Sequence, residues 1–463
     1  MKRAIVFGAG VSGLGACKLL EKIGYEIILV DDKKGISSQD GIKYLDNIDL
    51  FIKSPGVPYN DLVVEAKKKG IEIIDEIELS YRYMIKYMDK KSKIIAITGT
   101  NGKTTTTTKV TELLQYAGYK SKYAGNIGVS FAELLLENKD LDYIVLELSS
   151  YQLENLKTFK ADISLVINLA PDHLSRYKSV EEYYDTKFNI GKNQTSEDYF
   201  IVNGDSEEIL KRKELITGNK IFITKKNNNN CDFYIKNDIL YKGNDEILSC
   251  SKLTLKGKHN KENVLFIVAI AKILKISDEK IREFLYTTGN IEHRMEEFFN
   301  CGKIKFVNDS KGTNIDSTKF AVEAFKDCIL ICGGFDKKLD WTPLIELIKS
   351  SVKEVYLIGD IADQLNELLL LSGYSKDKIY LLRDLRSCLL NMKERFDKNI
   401  EETVLLSPAT SSFDQFKSFE HRGEVFKELV REIFGRWEFW KKWYWQLEAQ
   451  VGIYIQLSLW LKG

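Results

Sequence analysis

The chain lacks the cysteine spacing of a disulfide framework or of a zinc site. Its 463 residues include seven cysteines, an odd number, and no two of them form a C-x-x-C pair. The four histidines are not grouped with the cysteines. We therefore expect free thiols in a reducing compartment rather than disulfides or a structural metal.

A strong net charge is also missing, since 68 Lys and Arg residues balance 67 Asp and Glu residues to a formal charge of +1. Such a balance gives no electrostatic footprint for nucleic acid or for a membrane surface. No apolar stretch approaches the roughly 20 residues that a bilayer-spanning helix needs. The apolar start at residues 4–7 breaks into glycines, which makes it too short for a signal peptide. We expect a cytoplasmic protein with small-molecule partners and with no nucleic-acid or membrane partner.

Strands and helices alternate along the chain, which predicts an α/β protein with parallel sheets. The length suggests about three domains. The first strand–helix–strand unit occupies residues 1–92 and ends in a lysine-rich stretch. A second α/β unit at 93–299 becomes hairpin-like between 203 and 253, and a third unit follows at 300–436.

A glycine-rich loop follows the strand predicted at residues 94–97 and opens a helix. Gly99 and Gly102 allow backbone N–H groups to approach phosphate oxygens. Lys103 offers a cation to the β- and γ-phosphates, and the Thr104 hydroxyl offers a ligand to Mg²⁺. A glycine turn before a threonine-rich helix is the alternative, because the loop is shorter than the general phosphate-loop pattern. We predict an ATP site formed by Gly99, Thr100, Asn101, Gly102, Lys103, Thr104 and Thr105.

A second glycine pattern, Gly8-x-Gly10-x-x-Gly13, lies earlier in the chain, and Asp31 ends the following strand. The pattern is typical of dinucleotide-binding domains, so an NAD-dependent oxidoreductase is a competing interpretation. The pattern also suits any nucleotide whose diphosphate rests on a helix N-terminus. The oxidoreductase interpretation leaves the loop at Gly99 unexplained, and a purely structural role for the glycines is a further alternative.

Two polar residues follow predicted strands of the central unit. Glu147 ends the strand at 143–146, and His173 follows the strand at 163–167. A carboxylate at a strand end beside a phosphate loop is well placed for Mg²⁺, which prefers hard oxygen ligands. A solvent-facing strand end and a structural histidine are the respective alternatives.

Through several longer motifs the chain resembles the Mur ligase superfamily. Its members are cytoplasmic ATP-dependent amino-acid ligases of peptidoglycan precursor synthesis. The family's Gly-Thr-Asn-Gly-Lys-Thr loop stands at residues 99–104, its Gly-Asn-Ile-Gly segment at 125–128 and its Asp-His pair at 172–173. The resemblance extends over residues 1–436. It implies Rossmann-like first and third domains, a central P-loop ATPase-like domain, and catalytic roles for Lys103, Glu147, His173 and Lys187.

The family's Tyr-x-x-x-Lys motif stands at Tyr183 and Lys187. In the family this lysine is carbamylated, so the resemblance implies a CO₂-derived carbamate on Lys187. Carbamylation turns a cation into an oxygen ligand for a hard metal ion. The resemblance thus implies ATP and two Mg²⁺ ions, with the metal ligands Thr104, Glu147, His173 and carbamylated Lys187.

The resemblance also assigns nucleotide contacts. Near ATP it places Asn260, Asn263, Arg294 and Asp309 in addition to the phosphate loop. The N-terminal glycine loop would hold the diphosphate of a UDP-linked substrate, and the two aspartates after the second strand would read the uracil. The implied UDP-substrate contacts are Gly10, Val11, Ser12, Gly13, Asp31, Asp32, Ser54, Asn126, Ser149, Gln152 and His173.

The segment Asn-Asp-Ser-Lys-Gly-Thr-Asn at 308–314 resembles the branch of the family that adds D-glutamate. This branch implies UDP-N-acetylmuramoyl-L-alanine, D-glutamate and ATP as substrates, an acyl-phosphate intermediate, and a monomer. The implied amino-acid contacts are Lys311, Thr313, Lys337, Ser412 and Phe419. A sister ligase of the folate polyglutamylating type and a non-enzymatic nucleotide-binding protein are the other interpretations.

The segment at 437–463 does not fit this pattern. It holds five of the six tryptophans, four of them between residues 437 and 445. An amphipathic membrane helix is one interpretation. A frameshift near codon 436 is the favoured one, because the shifted frame permits a sequence that resembles the start of the UDP-GlcNAc transferase of the same pathway.

Overall fold

The computed structural model describes residues 2–171, 176–255, 260–289, 291–337 and 339–435, with the backbone alone at Asp316. The described residues pack into two compact units. Unit 1 runs to Leu253 and includes the segment from 260 to Thr287, and unit 2 consists of the short segment from Thr254 and of the chain from Thr288 onward. The predicted tail at 437–463 lies outside the described residues, and its origin stays a prediction.

The first sheet of unit 1 is wholly parallel and has the strand order β2-β1-β3-β4. Its strands are apolar because helices cover the sheet, as is usual for parallel sheets. The strands are β1 (Lys2–Phe7), β2 (Tyr25–Val30), β3 (Leu50–Lys53) and β4 (Ile73–Ile74). The helices are α1 (Val11–Lys22), α2 (Ser38–Gly41), α3 (Asp61–Lys68) and α4 (Glu76–Tyr87).

The second sheet of unit 1 has nine strands in the order β13-β12-β11-β10-β9-β8-β5-β7-β6, and β12 pairs antiparallel with both of its neighbours. The strands are β5 (Lys93–Thr98), β6 (Ser121–Gly125), β7 (Tyr143–Glu147), β8 (Ile163–Val166), β9 (Tyr199–Asn203), β10 (Asn219–Thr224), β11 (Phe233–Lys236), β12 (Ile239–Lys242) and β13 (Asp245–Ser249). The helices are α5 (Lys103–Tyr116), α6 (Phe131–Glu137), α7 (Val180–Phe188), α8 (Glu207–Arg212), α9 (Asn260–Ile273) and α10 (Asp278–Thr287). The carboxyl ends of β5, β7 and β8 share one edge, where ligands of such sheets bind.

Helix α1 of the first sheet packs on α6 of the second, and Gly15 makes the close approach possible. A Cβ atom at Gly15 would lie only 2.1 Å from the Ser130 Oγ, and Ser130 caps α6. One apolar core joins the two layers, since Ala132 of α6 clusters with Leu19 and Leu20 of α1. The two sheets of unit 1 are therefore one packed body.

Glu76 begins α4 inside this junction and is fully buried. Its Oε1 accepts hydrogen bonds from the Ala132 backbone N–H at 2.5 Å and the Ser80 hydroxyl at 2.9 Å. Its Oε2 accepts none from any residue that the structure describes. Burial raises the pKa of Glu76 to about 7, so the native state holds a proton that the unfolded chain releases at lower pH.

We expect Glu76→Gln to remove a pH dependence of stability. The native pKa is above the unfolded one, so wild-type stability is greatest below the unfolded pKa and falls as the pH rises to about 7. Relative to wild type, the Gln variant should gain roughly 3 kcal/mol in free energy of unfolding over this range. Thermal unfolding of both proteins at pH 4.5, 6 and 8 measures this difference. Glu65→Gln on the surface of α3 is the control, and a wild-type–variant difference that stays constant with pH would refute the prediction.

Unit 2 holds a six-stranded sheet in the order β14-β15-β19-β16-β17-β18, in which only the β14–β15 pair is antiparallel. The strands are β14 (Glu296–Cys301), β15 (Ile304–Asn308), β16 (Cys328–Gly333), β17 (Val352–Ile358), β18 (Ile379–Arg383) and β19 (Glu402–Leu406). The helices are α11 (Ile315–Ala324), α12 (Thr342–Ser351), α13 (Ala362–Leu371), α14 (Leu385–Arg395) and α15 (Phe419–Phe434). Two apolar cores fill the space between sheet and helices.

The predicted α/β class with parallel sheets is confirmed. The described residues form three sheets, and packing groups the first two sheets in one unit, so the three domains and their boundaries stay a prediction. Among the described helices, none has both the length and the apolar character needed to cross a membrane.

Candidate active site

The predicted phosphate loop connects β5 to α5 at the carboxyl edge of the nine-stranded sheet. Gly102 has a φ of +85°, a left-handed conformation that favours glycine, and a Cβ there would lie 2.5 Å from the Asn263 Oδ1. Lys103 begins α5, and its Nζ donates to the carbonyls of Gly99 at 2.8 Å and Thr100 at 2.9 Å. The cation is thus held at the loop, next to the positive end of a helix, which suits phosphate.

Lys187 reaches the same loop from α7, although it stands 84 positions after Lys103 in the sequence. Its residue surface is only 2% exposed, and its Nζ donates to the Gly99 carbonyl at 3.2 Å. The Nζ also lies 4.8 Å from the ring centroid of Tyr183. Two predicted catalytic lysines therefore share one backbone carbonyl of the phosphate loop.

Glu147 ends β7 on the neighbouring strand and is 1% exposed. Its Oε1 accepts a hydrogen bond from the Asn126 Nδ2 at 2.9 Å. Its Oε2 is buried and accepts none from any residue in the described part of the chain. A buried carboxylate oxygen without a donor is costly unless a cation or another ligand satisfies it, so this donor set fits Mg²⁺.

Sequence reasoning missed Asn168, which fixes the phosphate loop at two points. The Asn168 carbonyl accepts from the Thr100 N–H at 3.0 Å, and its Oδ1 accepts from the Asn101 N–H at 2.9 Å. Its Nδ2 donates to the Glu262 Oε2 at 3.3 Å. The signal that identified Glu147, a polar residue just after a strand, was also present at Asn168.

The first turn of α9 lies against the phosphate-loop helix. Asn263 donates from Nδ2 to the Asn260 Oδ1 at 2.8 Å and accepts from the Thr106 hydroxyl at 3.4 Å. The predicted ATP residues Asn260 and Asn263 thus lie near Gly102. The predicted ATP residues Thr104 and Thr105 are buried in the first turn of α5. The predicted ligand His173 lies outside the described residues.

The N-terminal glycine loop is closed by its own aspartate. Asp31 accepts from the backbone N–H groups of Ala9 at 2.7 Å, Lys33 at 2.9 Å and Lys34 at 3.0 Å. The bond from Ala9 is the main reason that the pKa of Asp31 is lowered. A Cβ at Gly13 would lie 1.8 Å from the Gly8 carbonyl oxygen, so only glycine permits this approach. Asp31 therefore shapes the loop, in addition to the predicted reading of the uracil.

Other predicted UDP contacts occupy two places in unit 1. On the first sheet, Ser54 donates from Oγ to the Gly8 carbonyl at 3.2 Å, and Asp32 accepts from the Ser38 N–H at 2.6 Å. Gly10 and Val11 are exposed and Ser12 is partly buried at the start of α1. On the second sheet, Asn126 follows β6, and Ser149 with Gln152 forms a capping box after β7.

In unit 2 the segment at 308–314, which resembles the D-glutamate branch and is called the signature segment below, begins at the last residue of β15. The Nδ2 atom of Asn308 lies 2.9 Å from the His293 Nδ1 and donates to the Glu296 Oε2 at 3.2 Å. Asp309 accepts from the Ser407 hydroxyl at 2.7 Å and from the Met295 N–H at 3.2 Å. Burial raises the pKa of Asp309 to about 7, while the hydrogen bond from Ser407 and the charge of Arg294 oppose the rise.

Four of the five predicted amino-acid contacts form two pairs. Lys337 donates from Nζ to the Thr313 carbonyl at 3.1 Å, and burial lowers its pKa. The Lys311 Nζ lies 5.3 Å from the ring centroid of Phe419. The fifth, Ser412, is buried after β19.

Arg422, on α15, is a second residue that sequence reasoning missed. Its side chain is wholly buried, and it donates from Nε to the Ser310 Oγ at 3.0 Å and from Nη2 to the Ser310 carbonyl at 2.8 Å. It also donates to the Thr410 carbonyl at 3.2 Å. Burial lowers the pKa of Arg422 to about 10. The residue stands inside the segment at 419–423, and its neighbours His421 and Gly423 gave no signal of this role.

Three side chains of metal-ligating type also converge in unit 2, namely Glu292, His293 and Glu296. The Lys427 Nζ forms ion pairs with Glu292 and with Glu296, the latter at 3.1 Å. This one ammonium group pairs with both carboxylates, and His293 and Glu296 contact Asn308, so the cluster is an ion-pair group that braces the signature segment.

Comparisons with known proteins agree with these features. Residues 97–271 match the Mur ligase middle domain. A UDP-N-acetylmuramoylalanine–D-glutamate ligase of Fusobacterium nucleatum is 57% identical over 435 residues, which are 94% of this chain and 100% of that protein. A ligase of the same name from Caldanaerobacter subterraneus is 36% identical and covers 93% of this chain and 98% of its own length.

Solved structures show the same fold at low identity. The UDP-N-acetylmuramate–alanine ligase MurC of Thermotoga maritima has a TM-score of 0.59 at 16% identity and covers 93% of this chain and 99% of its own. The MurF ligase of the same organism, solved in complex with ADP, has a TM-score of 0.59 at 16% identity, with 85% and 92% covered. The two ligases that are 57% and 36% identical favour the ligase over the dehydrogenase interpretation of the glycine loop at Gly8. The chain belongs to the Mur ligases and, within them, to the family of the UDP-N-acetylmuramoylalanine–D-glutamate ligases.

Proposed function

We propose that this protein joins D-glutamate to UDP-N-acetylmuramoyl-L-alanine at the expense of ATP. The γ-phosphoryl group of ATP passes to the terminal alanine carboxylate, which gives an acyl phosphate and ADP. The amine of D-glutamate then attacks the acyl carbon, a C–N bond forms, and phosphate leaves while the amine loses its proton. The family assignment supports this reaction, and so do the residues of the two units.

The observation that carries the proposal is the convergence at the Gly99 carbonyl. Lys103 and Lys187 both donate to it, at 2.8 and 3.2 Å. The phosphate loop alone would suit any ATP-using enzyme, whereas a buried second lysine from α7 is the feature that the family resemblance singles out. Glu147 adds a buried carboxylate oxygen with no donor among the described residues.

The chain's own groups have distinct tasks in this proposal. The backbone N–H groups of the phosphate loop and the start of α5 hold the ATP phosphates. Lys103 neutralises the charge that develops on the transferred phosphoryl group. Glu147, Thr104, His173 and a carbamate on Lys187 would hold Mg²⁺. When bound, Mg²⁺ neutralises phosphate charge and orients the reacting oxygens.

In unit 2, two lysines would bind the incoming amino acid. Lys337 and Lys311 offer ammonium groups, and D-glutamate brings two carboxylates that such groups can pair. Burial lowers the pKa of Lys337, and its Nζ is already oriented by the Thr313 carbonyl. Phe419 beside Lys311 restricts where that ammonium group lies. Asp309 and Arg294 would serve the ATP side.

The test is an acceptor screen with the purified protein, ATP, Mg²⁺ and UDP-N-acetylmuramoyl-L-alanine. We expect phosphate release with D-glutamate and little release with L-glutamate, L-lysine or meso-diaminopimelate. Omission of either the UDP substrate or D-glutamate should abolish turnover. Equal turnover with L-lysine or diaminopimelate would refute the D-glutamate assignment, and absorbance changes of a nicotinamide without ATP use would refute the ligase class.

We also propose that the protein acts in the cytoplasm as a monomer and needs neither nucleic acid nor a membrane. The balanced charge supports the absence of a polyanionic partner. Size-exclusion chromatography with light scattering at several protein concentrations tests the monomer.

A further inference from the structure

Arg176 connects the two layers of unit 1 beside the proposed UDP-substrate site. Its Nη1 donates to the backbone carbonyls of Pro55 at 3.0 Å and Val57 at 3.2 Å, in the loop after β3. Its Nε and Nη2 donate to the Glu154 carboxylate at 3.0 and 2.8 Å, in the segment after β7. We call Arg176, Glu154 and the two carbonyls the Arg176 clamp.

The clamp is largely shielded from water and has many polar and stacking contacts. The Arg176 and Glu154 side chains are 16% and 10% exposed. The Arg176 guanidinium carbon lies 4.2 Å from the ring centroid of Tyr151, a stacking distance. The Tyr177 hydroxyl donates to the Glu154 Oε1 at 3.1 Å. A planar guanidinium with fixed partners on both sides sets the position of two loops more precisely than a lysine could.

Both loops of the clamp continue directly into residues of the proposed substrate site. Pro55 and Val57 flank Gly56 and come directly after Ser54. The Ser54 Oγ donates to the carbonyl of Gly8 in the N-terminal glycine loop, the proposed site of the UDP diphosphate. Glu154 stands two residues after Gln152, at the end of the short helix that the Ser149–Gln152 capping box opens. A displacement at the clamp would therefore be passed to both sides of the UDP-substrate site.

Holding the layers together does not by itself require the clamp. The apolar core between α1 and α6 already joins them, and a shielded ion pair adds little net stability compared with apolar packing. Glu154 has a second buried cation near it, since the Lys53 Nζ lies 3.9 Å from its Oε2. Such an arrangement of charges is better explained by a need to fix the positions of the two loops than by a need to stabilise the packing of the two layers.

We infer that Arg176 is a positioning residue for the UDP-linked substrate, acting through the Pro55–Val57 carbonyls and Glu154. This inference rests on the proposed function, because it takes the loops at Gly8, Ser54 and Gln152 as the substrate site. Arg176 takes no part in the chemical step.

The experiment compares Arg176→Ala and Arg176→Lys with Arg395→Ala as the matched control. Arg395 in unit 2 has a similar set of partners: its Nη1 and Nη2 donate to the Glu354 carboxylate at 3.0 Å, its Nη1 also donates to the Tyr356 hydroxyl, and its guanidinium carbon lies 4.2 Å from the ring centroid of Tyr380. We expect Arg176→Ala to raise KM for UDP-N-acetylmuramoyl-L-alanine by about 10- to 100-fold. KM for ATP and for D-glutamate should change by less than about twofold, since the phosphate loop and unit 2 keep their own anchors.

Two further readouts separate positioning from stability. Calorimetric titration of UDP-N-acetylmuramoyl-L-alanine without ATP should show the same fold loss of affinity, and Arg176→Lys should lie between wild type and Arg176→Ala. Arg395→Ala should lower the thermal midpoint to a similar degree and leave all three KM values unchanged. Unchanged substrate affinity in Arg176→Ala, or equal changes in all three KM values, would overturn the inference. If wild type binds the UDP substrate and yet adds no D-glutamate, the proposed function fails while the titration still decides the role of the clamp.

Discussion

Lys187→Ala is expected to lower turnover by at least about 10²- to 10³-fold, with a thermal midpoint close to that of wild type. Lys187 is buried, and its Nζ donates a hydrogen bond to the Gly99 carbonyl at 3.2 Å, so its amine lies at the phosphate loop. A lysine so placed can add CO₂ in its neutral form, which gives a carbamate and releases a proton. The carbamate would then replace a positive charge by an oxygen ligand next to the phosphates. Phosphate release in the acceptor assay measures the loss.

The carbamate makes a second, more specific prediction for the same variant. A short carboxylate such as acetate should partly restore turnover in Lys187→Ala, because it can supply the missing oxygen atoms, and it should not stimulate wild type. Lys192→Ala is the matched control, since the Lys192 Nζ also donates to a backbone carbonyl, that of Leu156 at 2.6 Å, away from the phosphate loop. Full activity of Lys187→Ala would exclude a catalytic role for this lysine. A carbon-13 label from bicarbonate that never appears on wild-type protein would exclude the carbamate.

Much of the fold could be predicted because the parallel strands are short apolar runs that alternate with helices. The strand before the phosphate loop was expected at 94–97 and extends over β5. The hairpin-like part between 203 and 253 includes the antiparallel strands β11 to β13. Periodicity could not show that Gly15 brings α1 against α6, because this contact depends on residues 115 positions apart.

The candidate site was predictable where a residue follows a strand or forms part of a contiguous motif. Lys103 and Glu147 have such local signals, and both lie where the sheet edge was expected. Lys187 has none, since it stands on a helix and became a candidate only through the family resemblance. Its approach to Gly99 is a tertiary contact between α7 and a distant loop, and no local pattern contains that information.

Polar residues that hold other residues were the hardest to predict. Arg176 and Arg422 touch carbonyls and carboxylates of distant loops, and their sequence neighbours give no sign of these partners. Asp31 shows the reverse case, because the fingerprint suggested a ligand contact and the structure adds three bonds to its own loop. A motif thus identifies the residue that matters and leaves open how many tasks the residue performs.

Glu147→Gln is the second variant for which we expect a large effect, and it should separate activity from stability. Glutamine keeps the size of the side chain and can still accept the hydrogen bond from the Asn126 Nδ2, now 2.9 Å from the Oε1. It removes the negative charge that Mg²⁺ needs at the buried Oε2. We expect turnover to fall by about 10²- to 10³-fold and the Mg²⁺ concentration for half-maximal activity to rise.

Stability should respond in the opposite way, because the Oε2 is buried and accepts no hydrogen bond from the described residues. A buried charge without a partner costs free energy in the metal-free protein, and the neutral amide avoids that cost. The thermal midpoint of Glu147→Gln without Mg²⁺ should therefore equal or exceed that of wild type, whereas added Mg²⁺ and ATP should stabilise wild type more than the variant. Glu133→Gln removes a carboxylate that is paired with Lys18 on the surface of the same unit, and it should leave turnover and Mg²⁺ dependence unchanged. Wild-type activity in Glu147→Gln would refute the metal role, and a large fall in its midpoint would show that the carboxylate serves the fold instead.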